Sequence, residues 1–168
     1  MVASGEQKDD VSIEELIEDE LKKIESLVET ELKERLDIML RRALMPDIGR
    51  LKQTLLESKQ LYNTIQNEFV NENVNRMENI ASSISKIGNL RNSLDTAVRD
   101  AYSKIGGADR SLMDWITGVK FNTANILEKI IAHAIQALKK FAKESGVSSY
   151  SISFGYYDLG VTLNFNVK

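Results

Sequence analysis

From Ile48 to Ile105 apolar residues recur every three or four positions, and no proline interrupts them. That spacing lines one face of an α-helix and predicts a long amphipathic helix over the whole stretch. A straight helix of this length spans about 87 Å at 1.5 Å per residue. A compact domain of this size has a radius of gyration of about 15 Å. The helix must therefore break into a bundle or project as an arm. Its seam needs a cover: the preceding helix, a later segment or a second copy of the chain.

The seam has two frames. Ile48, Leu51, Leu55, Ser58, Tyr62, Ile65 and Phe69 follow strict coiled-coil spacing. Met77, Ile80, Ile84, Ile87, Arg91, Leu94, Val98, Ala101 and Ile105 form a second frame, one residue out of phase with the first. Between them lies the polar run Asn71-Glu72-Asn73-Val74-Asn75. It holds neither glycine nor proline, the usual causes of a sharp kink, so the expectation is one continuous rod.

Residues 1–11 are polar and lack periodicity, as in a disordered tail. Ser12 with Glu15 forms a capping-box pattern that opens a first helix. Its stripe is Ile13, Ile17, Leu21, Ile24, Val28, Leu32, Leu36, Met39 and Ala43. Pro46 disfavours helical geometry in the residue before it, so a turn is expected there, with Asp47 capping the long helix. Gly106-Gly107 ends that helix. Ser111 and Asp114 resemble a second capping box, opening a third helix that stops before Gly146. Twelve of the nineteen residues from Ala124 to Ala142 are apolar, giving this helix a wide core-facing side.

After Gly146 the period changes to two. Ile152 and Phe154, then Val161, Leu163, Phe165 and Val167, alternate with small or polar residues around a glycine-containing turn, the pattern of a β-hairpin. The fold expected is mainly α: a long antiparallel helical hairpin, or coiled coil, turning at Pro46, with a third packed helix and a C-terminal β-hairpin. Residues 12–145 form the helical domain, and 146–168 form a hairpin belonging to it.

Chemistry is sparse. Without cysteine there are no disulfides, thiolate metal sites or cysteine nucleophiles. His133 is the only histidine, and no acid sits one helical turn away to orient it. Ser83-Ile84-Ser85-Lys86 has Ser-x-x-Lys spacing but lies mid-helix without companion motifs. The paired carboxylates Glu14-Glu15 and Glu18-Asp19-Glu20 lie on a solvated helix face, where nothing raises a pKa for acid–base work. No catalytic residue, cofactor or metal ligand is expected. The charge is polarised, with thirteen acids and five bases in residues 1–37 and twelve acids and seventeen bases in the remainder. The densest basic cluster, Arg41, Arg42, Arg50 and Lys52 with Lys59, surrounds Pro46. It is the candidate for contact with an anion or lipid.

These features describe a non-enzymatic structural or interaction protein that works as a homo-oligomer. Self-association is assigned to Ile48, Leu51, Leu55, Tyr62, Ile65, Phe69, Met77, Ile80, Ile84, Ile87, Leu94 and Val98 of the seam. Ile152, Phe154, Leu163 and Phe165 of the hairpin complete the set. Trp115, Phe121 and Phe141 with Lys120, Lys129, Lys139, Lys140 and Lys143 support an alternative, a membrane-acting protein that lays its third helix on a bilayer or inserts the hairpin. A nucleic-acid-associated scaffold is the third reading. No signal peptide is evident and no run is long and apolar enough to span a bilayer, so the expected location is cytoplasmic, with a membrane-peripheral position under the alternative.

Overall fold

The first helical stretch keeps its apolar residues in line by widening one turn. It comprises α1 (Ile13–Ser26), a π-helical turn (Leu27–Glu31) and α2 (Leu32–Arg35). The computed structural model describes residues 12–70, 75–107, 109–146, 149–156 and 159–166. Side chains are described throughout these ranges except at Arg35 and at strand positions other than Ser149, Ser151, Ser153, Thr162 and Asn164. The Ser12 carbonyl accepts the Leu16 N–H at 3.1 Å, so the helix begins where expected, although the Ser12 hydroxyl makes no capping bond. The buried apolar residues are Ile17, Leu21, Ile24, Leu27 and Leu32, and Glu20 is buried beside them. The five-residue step from Leu27 to Leu32 exceeds the α period, and the π turn absorbs the extra residue. Leu27, rather than the expected Val28, is therefore the core residue.

The expected turn at Pro46 is absent. The chain breaks ten residues earlier, at Leu36, whose φ of −104° and ψ of 143° are extended. Asp37 then caps α3 (Ile38–Val70), its carbonyl accepting the Arg41 N–H at 2.9 Å. A new helix restarts the phase, so Met39 and Ala43 leave the predicted stripe and are exposed. Pro46 lies inside α3, where it cannot donate to the Arg42 carbonyl. The neighbouring Ala43 carbonyl accepts from Lys104 Nζ at 2.9 Å, a tertiary tie to the helix beside the proline.

The rod expected from Ile48 to Ile105 is two helices, α3 and α4 (Arg76–Ile105). Asn79 Nδ2 donates to Glu68 Oε1 at 3.0 Å. On one continuous helix these residues would stand about 16 Å apart along the axis. The chain therefore reverses between Val70 and Arg76, and residues 71–74 of the polar run lie outside the described residues. Asparagine side chains compete for backbone hydrogen bonds and favour turns.

Gly106, with φ of 60°, ends α4, and its N–H bonds the Tyr102 carbonyl at 2.9 Å. Asp109 caps α5 (Arg110–Glu144), accepting the Leu112 N–H on Oδ1 at 3.0 Å, two residues before the expected cap Ser111. Gly146, with φ of 75°, follows its end. Strands β1 (Ser149–Tyr156) and β2 (Leu159–Asn166) pair antiparallel. The register opposes Ile152 to Leu163 and Phe154 to Val161. Ser153 and Thr162, opposite one another, share a side-chain hydrogen bond of 2.9 Å.

The chain divides into two compact units. The first joins Met1–Leu56 to Leu94–Ile126, and the second joins Glu57–Ser93 to Leu127–Lys168. In the first unit, Asp47 and Arg50 of α3 meet Lys104 and Asp100 of α4, an antiparallel order. Ile17, Ile24, Leu44, Leu51, Leu94, Ala101 and Ile116 are among its buried residues. In the second, residues 57–64 of α3 and 86–93 of α4 line an open cleft while Glu68 meets Asn79, again an antiparallel order. Here α5 runs parallel to α3, with Gln66 beside His133 and Phe69 beside Phe141.

Candidate interaction surface

The seam residues assigned to self-association are covered by the chain itself. In the first unit Ile48, Leu51, Leu55, Leu94 and Val98 are buried, as are Ile65, Ile80, Ile84 and Ile87 in the second. Tyr62, Phe69 and Met77 are half-buried. The cover that the sequence left open is supplied within one chain for the buried members of the seam, while Tyr62, Phe69 and Met77 keep part of their surface. The polar seam positions Ser58 and Arg91 are buried in the second unit. The side chains of Ile152, Phe154, Leu163 and Phe165 lie outside the described residues.

Half of the basic cluster around Pro46 is already paired with acids. Arg50 donates to Asp47 and, at 2.8 Å, to Asp100 Oδ2. The Asp100 hydrogen bond, seconded by Asp47, raises the Arg50 pKa, and the same bond lowers that of Asp100. Asp47 is 0% exposed, and Lys104 Nζ reaches its second carboxylate oxygen at 2.8 Å. One buried acid thus holds two cations, one from each helix, with charge-assisted bonds. Lys52 pairs with Glu25 of α1 at 3.4 Å. Among the described residues Arg41 and Arg42 make no such pair. Of the four residues proposed for an anion, two already have carboxylate partners.

Between these ion pairs lies a face the sequence reading did not identify. From residue 38 to residue 56, α3 exposes Ile38, Met39, Arg42, Ala43, Met45, Pro46, Gly49, Gln53 and Leu56. One of the nine is charged. Met39 is 78% exposed, Ile38 55%, Met45 41% and Leu56 38%. Ile38, Arg42, Met45, Gly49, Gln53 and Leu56 follow three-four spacing, so they form one stripe. Gly49 has open space where a Cβ would stand. Arg50 and Lys104 flank the stripe on one side and Lys52 with Glu25 on the other, giving an apolar centre inside a paired, polar border. Depletion of charge with enrichment of methionine and arginine is the composition of protein interfaces. Reading Asp37 as a helix cap would have revealed the stripe, because it fixes the phase in which these positions align opposite the buried ones.

The second unit carries the one histidine. His133 Nε2 lies 2.6 Å from Gln66 Oε1, and the Tyr62 and Phe69 rings stand 5.5 and 5.2 Å from the imidazole. Burial lowers its pKa. Phe69 also packs on Phe141, and the Arg76 guanidinium lies 3.9 Å from the Phe141 ring centre. Phe141 is buried, so this aromatic of the proposed membrane face is occupied inside the unit; Phe121 is exposed on α5. Among the described residues no group of three or more acids and histidines is placed to hold a metal. No described helix is long and apolar enough to cross a membrane. The sequence matches no protein family, and no curated protein or solved structure shows detectable similarity to it.

Proposed function

We propose that the chain is a non-enzymatic structural or interaction protein that works by self-association. The observation that carries this reading is the exposed stripe of α3 in the first unit, with large apolar side chains, a single charge and a border of paired ions. Exposed apolar side chains grouped on one face mark association sites more often than chance exposure does. The buried residues of the long seam take no part in the contact, because they are used within the chain. The C-terminal strands join the proposal as a second contact, since an open two-stranded ribbon presents unpaired edges.

Solution mass tests this reading. Light scattering on the full chain should give a multiple of 18.9 kDa. A mass that stays at that of one chain across the accessible concentrations would overturn it. The nucleic-acid reading loses support from the pairing of Arg50 and Lys52 with acids. The membrane reading loses support from the burial of Phe141, Leu138 and Ile130.

A further inference from the structure

We infer that the occupant of the α3 stripe is the same stripe of a second copy, laid antiparallel across a twofold axis near the level of Asp47. This rests on the self-association proposed above and names its contact. In an isologous contact, positions equally far from the axis meet. Counting outward from Asp47, Met45 meets Gly49 and Ile38 meets Leu56. The methionine thus falls on the one residue of the stripe without a side chain, where the space is open. The two large apolar residues at the ends fall on each other.

Charge gives the second reason. Arg42 is the only charged residue of the stripe and makes no ion pair among the described residues. Five positions on the other side of Asp47 stands Lys52, already bound to Glu25, whose side chain is 57% exposed. In the antiparallel contact Arg42 of one copy meets that pair on the other, and the Glu25 carboxylate has lone pairs to accept from it. A parallel arrangement would set Arg42 against Arg42. Arg50, Lys104 and Lys52 on the border are each paired with an acid, so they present little net field to repel an identical surface. A polyanion such as a nucleic acid or an acidic bilayer would find Arg50 and Lys52 already engaged.

The test is sedimentation equilibrium on the full chain and variants. Wild type should behave as a dimer. Gly49→Arg fills open space and leaves the melting temperature of the dilute protein unchanged or higher. It should weaken the dimer about tenfold or more, roughly 1.4 kcal/mol. Arg42→Glu alone should weaken it too, and Arg42→Glu with Glu25→Lys should restore it. An oligomer indifferent to Gly49→Arg and Met45→Glu would overturn this contact while leaving self-association standing through another surface. A single-chain mass for wild type would remove both. Protection of Met39 and Met45 from oxidation in a monomeric wild type would show the stripe covered by the chain's own residues, and would likewise overturn the contact.

Discussion

Residues 38–56 of α3, in the first unit, and residues 127–144 of α5, in the second, distribute charge in opposite ways. The α5 segment is conventional: it buries Phe141, Leu138 and Ile130, and six of its eight exposed residues are charged. The α3 segment buries the carboxylate of Asp47 and exposes Met39, Ile38 and Met45. Burying an acid and exposing a methionine both oppose the usual partition. Inside the unit, Arg50 and Lys104 resolve the first departure. The second has no counterpart within the described residues, which is why the outer face of α3, and not that of α5, carries the functional proposal. Where one helix obeys the partition and another inverts it, the inversion marks the place to look for work other than folding.

The comparison can be attacked first from its ordinary side. Phe141→Ala removes a buried ring that contacts Phe69 and Arg76, and should cost about 3–5 kcal/mol in chemical denaturation. A loss near zero would mean that α5 does not hold the second unit as described. Asp47→Asn in the first unit removes the charge that binds two cations. Arg50 and Lys104 are partly exposed and regain water, so the expected cost is about 2 kcal/mol, within the range for hydrogen bonds to charged groups. An unchanged or higher midpoint would make the buried acid incidental. Gly49→Ala should stabilise the dilute protein by about 0.5–1 kcal/mol, because a helix-interior glycine is disfavoured and nothing obstructs the added Cβ. A loss would show that Gly49 is already covered within the chain.

The smallest effect concerns His133. Burial depresses its folded pKa below the ordinary 6.5, so the unfolded chain binds the proton more readily. Its contribution to stability is complete above 6.5 and is lost as the pH falls from there through the depressed folded value. The stability of wild type should therefore drop more steeply over that window than that of His133→Gln. Parallel pH profiles would contradict the half-buried, Gln66-bonded imidazole.

Much of the inner architecture was legible in the sequence. The buried positions Ile48, Leu51, Leu55, Ile65, Ile80, Ile84, Ile87, Leu94 and Val98 lie on the predicted seam, because three-four spacing records which side of a helix is dry. The end of α4 at Gly106 was equally plain. The turns were not. Pro46 is a strong local signal, yet a helix already capped at Asp37 and tied to Lys104 runs through it, so tertiary contacts override the residue's preference. The reversal between Val70 and Arg76 falls where the sequence has neither glycine nor proline, the strongest local signals of a turn. The candidate surface is hidden for the same reason: a helix started at Ser12 and continued to Pro46 puts Met39 and Ala43 on the buried stripe, and the outer positions, of which only Arg42 is charged, do not line up.

The chain has no cysteine, so a single introduced thiol reports one place only. The most direct test of the central claim is Gly49→Cys with a short bifunctional maleimide, compared with Gln136→Cys on the charged outer face of α5. The account predicts a covalent dimer from Gly49→Cys, because two copies of that residue lie close across the proposed axis, and little or none from Gln136→Cys. Efficient cross-linking at Gln136, or none at Gly49 in a preparation whose mass is that of an oligomer, would contradict it.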